Sequence, residues 1–326
     1  LKILPQLKQP IYLLTYGSNN SLAASMEILS YLKGKQMKGE ILHGDIAYLS
    51  NRIRQILDNQ TIKLGVIGKP SDWLIASEVS YKEALQIHHI ELIDISIEEF
   101  IQNYRSQEDI KNNLTDYPSF NQVELNKAMN VYHALKKIIK KYDLKGITVR
   151  CFSLLDTIHT TSCLAFAMLN QEGIIATCEG DIPTLITMLT LQKVTQQIGF
   201  QANPSKIDLV SQKMILAHCT IPLNMLIRYQ FDTHYESKIG VAIKGELKQD
   251  RITIFKIGND LKSYYVNTGN ILQNLTKDNL CRTQIEITLD NNMDYFLNYP
   301  LGNHHVIVYG DYKKELEAYM NQLIKE

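Results

Sequence analysis

Over residues 1–202, short apolar runs alternate with helix-forming stretches, and that alternation limits the chain to an α/β architecture. Residues 10–16 (Pro-Ile-Tyr-Leu-Leu-Thr-Tyr) read as a strand ending in the turn and cap cluster Gly17-Ser18-Asn19-Asn20-Ser21. The helix after it is predicted to put Leu22, Met26 and Leu29 on one face and to stop at Gly34. Further strands are expected at 40–43, 62–67, 90–95, 147–152 and 174–178, with helices between them. Such a succession predicts a Rossmann-like, doubly wound parallel sheet. A polar stretch from Arg105 to Gln122 reads as a connector, so a subdivision of this region is expected there.

After Asn203-Pro204 the texture changes. Val241–Leu247, Arg251–Ile257, Tyr264–Val266 and Thr283–Leu289 alternate or run β-branched, with turns at Lys248-Gln249-Asp250 and Gly258-Asn259-Asp260. The pattern predicts antiparallel hairpins in a β-rich, barrel-like domain over 203–326 that completes the site, closed by an amphipathic helix at 313–325.

Composition narrows the function classes. Lys+Arg and Asp+Glu balance at 34 each, which removes any overall basic excess for nucleic acid. The basic cluster Lys136-Lys137 and Lys140-Lys141 sits on an amphipathic helix and reads as its solvated face. The longest apolar runs are too short to span a bilayer, so no membrane partner is expected. Five cysteines (Cys151, Cys163, Cys178, Cys219, Cys281) without a CxxC pair fit reduced thiols of a cytoplasmic protein better than a disulfide framework or a structural zinc site.

The chemistry concentrates in a few polar motifs. Cys178-Glu179-Gly180-Asp181 follows a strand and precedes the helix opening at Pro183, the place where open α/β sheets carry their sites. Gly180 lets the backbone bend so that both acids point to one spot, and two like charges held so close call for a cation or a shared proton. The plainer reading makes Asp181 a helix cap and leaves Glu179 solvated. His218, His234 and the pair His304-His305 stand at strand edges, and together with Glu179 and Asp181 they make a mixed carboxylate and imidazole set suited to a divalent metal.

These motifs, with Thr233-His234-Tyr235-Glu236-Ser237, Cys281-Arg282-Thr283-Gln284 and Gly302-Asn303-His304-His305-Val306 followed by Tyr309-Gly310-Asp311, resemble the C-terminal half of the L-fucose isomerase and L-arabinose isomerase superfamily. The likeness covers roughly residues 146–326. It implies a manganese-dependent aldose–ketose isomerase working through a cis-enediol. It implies Glu179 and Asp181 as catalytic acids, and Glu179, Asp181, His304, His218 and His234 as metal ligands. Arg282, Glu236, His305 and Asn303 are expected as sugar contacts, Glu236 being an acid this sequence adds and Arg282 either meeting a hydroxyl or an acidic substituent such as phosphate or sulfonate or forming a surface ion pair. The resemblance implies a homo-oligomer, a hexamer in the family. An upstream acid of the family has no counterpart here, Asp156 being the nearest carboxylate. That gap leaves open a sugar-binding or regulatory protein of the same fold, or a metal-assisted aldolase or epimerase.

Overall fold

The computed structural model describes residues 3–7, 9–58, 61–107, 120–291 and 293–325. Most of the expected connector, 108–119, lies outside the described residues. The chain divides into two compact units, Leu1–Gln60 and Thr61–Glu326.

The first unit is a βαβ motif: β1 (Ile11–Leu14), α1 (Ser21–Gly34) and the parallel strand β2 (Gly39–Leu42), followed by α2 (Ile46–Asp58). The buried side of α1 runs through Ser25 and Leu32, with Leu22 and Leu29 half-buried beside them, and Met26 points to solvent. The expected face was therefore rotated: 22, 25, 29 and 32 form one stripe at helical spacing, and Met26 falls outside it.

The second unit opens with β3 (Ile62–Ile67), α3 (Tyr81–His88), β4 (Ile90–Ile95), α4 (Ile97–Arg105) and the long α5 (Gln122–Tyr142). Next come β5 (Gly146–Val149), α6 (Ser153–Thr157), α7 (Cys163–Gln171), β6 (Ile175–Cys178) and α8 (Ile182–Thr195). The four strands form a parallel sheet in the order β4-β3-β5-β6. Side chains alternate across it. Ile67, Ile95, Ile147 and Val149 pack on one face against α4, α5 and α7, while Leu64, Val66, Ile90 and Ile175 face α3 and α8 on the other.

The rest is β7 (Phe200–Asp208), β8 (Lys213–His218), β9 (Leu226–Asp232), β10 (Ala242–Leu247), β11 (Arg251–Ile257), β12 (Tyr264–Asn274) and β13 (Thr283–Leu289). A short α9 (Asp294–Asn298), β14 (His305–Tyr309) and α10 (Lys313–Lys325) complete it. Six of these strands close an antiparallel barrel in the order β11-β12-β13-β8-β7-β14. The turn Lys248-Gln249-Asp250 does not join a hairpin, because β10 pairs with β9 in a separate ribbon while β11 pairs with β12 and β14. At that crossing the Asn274 side chain bonds both the N–H and the C=O of Leu247, and Tyr309 Oη accepts from the Lys248 N–H, so the chain leaves one sheet for the other with its polar groups satisfied.

Helix α8 holds sheet and barrel together. Leu185, Ile186 and Leu189 pack against Leu64 and Val66 on one side and against Phe255, Ile257, Val306 and Val308 of the barrel's outer face on the other. Residues 182–191 are all buried, as expected of a helix that is apolar on every side. Leu185→Ala is expected to lower the unfolding free energy by about 2–5 kcal/mol, whereas Ile227→Ala on the exposed side of β9 should change it by less than about 0.5 kcal/mol. Urea titrations of the two variants check this.

Candidate metal centre

The acidic turn at the C-terminal end of β6 is bent by two consecutive residues in the left-handed region, Glu179 at φ +69° and Gly180 at φ +72°. Gly180 is needed twice over: its backbone favours glycine, and a Cβ there would lie 2.6 Å from the carbonyl oxygen of Lys69. The N–H of Ser71 donates to the Glu179 carbonyl at 2.9 Å and the Gly180 N–H to Val149 at 3.0 Å, so the turn is pinned to the ends of β3 and β5. The bend sends the two acids in different directions.

Asp181 turns inward and is completely buried. Its Oδ1 accepts from the Thr184 N–H at 2.8 Å, capping α8. Its Oδ2 lies 2.8 Å from His304 Nδ1 and 3.6 Å from the ammonium of Lys256, which reaches over from β11 and donates to Thr184 Oγ1 at 2.8 Å. Burial alone would raise the Asp181 pKa; the charge on Lys256 and the bond from His304 overcome it and hold the carboxyl well below the usual carboxylate range. Lys256 itself is pulled down by burial against the pull of Asp181.

Glu179 turns toward a cavity. Trp73 Nε1 donates to its Oε2 at 2.8 Å, and its Oε1 lies 3.5 Å from His304 Nε2. Burial opposes its charge, but the His304 and His218 rings and the indole N–H outweigh that and hold its pKa at about 2. His304, one residue before β14, is fully buried; burial would lower its pKa, and the two carboxylates lift it to about 9. With Nδ1 committed to Asp181, its Nε2 has no hydrogen-bond partner among the described residues.

His218 ends β8 and packs edge-on against His304, ring centroids 5.3 Å apart. Thr220 Oγ1 lies 3.0 Å from its Nδ1, and burial holds its pKa down at about 3, so the ring is neutral. Glu179, His218 and His304 each offer a donor atom, and all three atoms lie within 4.8 Å of one another. A buried imidazole nitrogen without a partner, facing a carboxylate and a neutral imidazole, fits a divalent cation, whose bonds to such donors run about 2.0–2.6 Å. Two imidazoles and one carboxylate leave open positions on an ion.

The open cavity beside this cluster has a volume of about 50 Å³, room for an ion and a few waters. Phe152 forms one wall, stacked edge-on between Trp73 and His234. His234 lines the cavity next to Phe152, on the loop between β9 and β10. Its Nδ1 meets Ser237 Oγ at 3.0 Å, and burial lowers its pKa, assisted by the nearby charge of Arg282. Gly240, in the same loop, sits so close to Thr161 that a Cβ would meet its Oγ1 at 2.4 Å, which docks the loop on the start of α7. Glu236 lies at the cavity's exposed edge.

The other expected sugar contacts stand apart from this cavity. Arg282 donates from Nε to the Thr233 carbonyl at 2.8 Å and pairs with Asp232 at 3.4 Å, so it anchors the end of β9 next to His234. His305 faces the barrel interior, bonded to Tyr295 Oη at 3.0 Å and packed among Tyr265, Tyr295 and Phe296. Asn303 is exposed and donates at 3.4 Å to Asn203, which lines the cavity. Sequence reasoning missed Lys256 and Trp73. A lysine inside the apolar run Ile252–Ile257 was the available signal for the first, and being the chain's sole tryptophan the signal for the second.

No protein-family model matches the chain. Among curated proteins, it is 25% identical over 195 residues to the sulfoquinovose isomerase of Priestia aryabhattai, covering 56% of this chain and 43% of the relative. Proteins of the same name from Alkalicoccus urumqiensis (22% over 195 residues) and a Clostridium species (23% over 208) match over 56% and 60% of this chain. The matches span less than half of each relative's length, 43–46%. These names agree with the broad likeness to sugar isomerases. No helix among the described residues is long and apolar enough to cross a membrane.

Removing Lys256 strands the buried Asp181 charge. Lys256→Met is expected to lower stability by about 3–5 kcal/mol at neutral pH. Removing the charge as well, in Asp181→Asn/Lys256→Met, should recover part of that loss in the same denaturation assay.

Proposed function

We propose that this chain carries the active site of a divalent-metal-dependent aldose–ketose isomerase of the fucose and arabinose isomerase type, acting on an aldose that bears an acidic group, as the name sulfoquinovose isomerase denotes for the relatives. The observation that supports it most is the unpartnered Nε2 of His304, facing Glu179 and His218 beside the cavity. Those three residues would hold the cation, with manganese the expected ion. When bound, such an ion supplies Lewis-acid stabilisation for the negative charge that develops on the sugar's first two oxygens.

The chain's own groups divide the remaining work. Asp181 accepts the hydrogen bond of the His304 Nδ1 proton and so keeps Nε2 aimed at the cavity, where a cation would take the place of the second proton that the two carboxylates otherwise hold on the ring. Lys256 keeps Asp181 ionised, and the pair acts through His304 without touching substrate. Trp73 occupies Oε2 of Glu179 and leaves Oε1 for the centre. His234, neutral because burial lowers its pKa, and Glu236 at the mouth move the proton between C2 and C1 by way of the enediol. The carbonyl end of the sugar enters the cavity beside the cluster and the rest lies across its mouth. There Asn203 and Asn303 meet hydroxyls, while Arg282 and His305 support the loop and the barrel wall. A cytoplasmic homo-oligomer, hexameric as the motif resemblance implies, completes the proposal.

The test is proton exchange followed by NMR in D2O, with sulfoquinovose and a panel of unmodified aldoses. With Mn2+, the C2 proton is expected to wash out as ketose forms, with chelation stopping the reaction and added Mn2+ restoring it. His234→Gln should lower kcat by about 100-fold or more, and Glu179→Gln should abolish exchange together with Mn2+ binding. Sugar binding without exchange would make this a binding protein, an epimer or cleaved product would make it a sister enzyme of the same enediol, and turnover indifferent to chelators would contradict the metal centre.

A further inference from the structure

All five cysteines of the chain line the cavity. They come from five separate places: Cys151 just past β5, Cys163 at the first residue of α7, Cys178 at the end of β6, Cys219 just past β8, and Cys281 just ahead of β13. An isolated buried cysteine is ordinarily a small apolar filler. Here, instead, every thiol gathers at one opening, and all five are free. Several are already neighbours, Cys178 with Cys151 and Cys219 with both Cys281 and Cys163, and the last pair is the one that is buried on both sides. Cys163 donates to Cys219 across 3.3 Å, the two sulfurs sharing a small buried cluster with Ala242. They need to approach by only about 1.3 Å more to reach the covalent distance of about 2.0 Å. Each is only 4% exposed, so large reagents do not reach them, but both border the cavity, through which a water-sized oxidant can arrive.

We propose that Cys163 and Cys219 form a reversible dithiol–disulfide pair in the cavity wall, oxidised by a small hydroperoxide such as hydrogen peroxide. One thiol is first oxidised to a sulfenic acid as the peroxide O–O bond breaks and one water leaves. The sulfur of the other then displaces the hydroxyl as a second water, and the S–S bond forms. In total the two thiols give up two electrons and two protons, and one hydrogen peroxide becomes two waters. The bond ties the N-terminus of α7 to the end of β8, next to His218 and to Thr220, the partner of its ring. Oxidation therefore fixes the wall that carries one member of the metal cluster. The inference does not depend on the isomerase reading, because it concerns the protein's own thiols.

The experiment treats the folded, reduced chain with hydrogen peroxide, blocks remaining thiols with an alkylating agent after denaturation, and maps peptides by mass spectrometry. The five thiols are expected to fall by two, with a Cys163–Cys219 cross-linked peptide that dithiothreitol reverses. Cys163→Ser and Cys219→Ser, each checked for native circular dichroism, should yield no such cross-link. Retention of all five thiols would overturn the proposal. So would a cross-link that uses Cys151, Cys178 or Cys281, or oxygen added to sulfur without any cross-link.

Discussion

The site depends on one buried hydrogen bond, from His304 Nδ1 to Asp181 Oδ2 at 2.8 Å. An imidazole in a closed cavity has two nitrogens, and which one faces outward is decided by what the other is bonded to. Asp181 serves for this because it is fixed at both oxygens. One caps α8, and the other sits between His304 and the Lys256 ammonium. Burying a carboxylate is costly unless it is paired, and Lys256 supplies the pairing from a different structural layer. The network Thr184–Lys256–Asp181–His304 thus joins the helix between sheet and barrel to two barrel strands, and the same contacts that dock α8 aim the histidine.

The division of labour in the acidic turn follows from its backbone. Two successive left-handed residues reverse the direction in which side chains leave the chain, so Glu179 meets the cavity while Asp181 points into the protein. Both readings of the turn weighed from sequence hold in part: Asp181 does cap the helix, and Glu179 does join a cluster able to hold a cation. The expectation that both acids share one spot misses the bend that separates them.

Much of the architecture was legible because it rests on period. Parallel strands alternating with helices, then short β-branched runs, distinguish a covered sheet from a barrel, and the structure has both. What periodicity leaves out is partner choice. The turn at 248–250 looks like a hairpin, but Asn274 and Tyr309, far along the chain, divert it. His304 and His305 are equal in sequence and opposite in space, since neighbours at a strand's start leave on opposite faces; one meets Asp181 and the other the barrel aromatics. Lys256 lay hidden because charge within a strand ordinarily marks its wet side, and Trp73 because its partner is 106 residues away. The cysteines, unremarkable in spacing, converge because strand ends and adjoining turns from both layers meet at one opening.

A crystal soaked in Mn2+ and measured by anomalous diffraction at the manganese edge tests the central claim most directly. The expected result is one strong peak within about 2.0–2.6 Å of a Glu179 oxygen and of an imidazole nitrogen from each of His218 and His304, with Asp181 still bonded to His304 Nδ1. A peak bound to Asp181, or an empty cavity at saturating Mn2+, would contradict it.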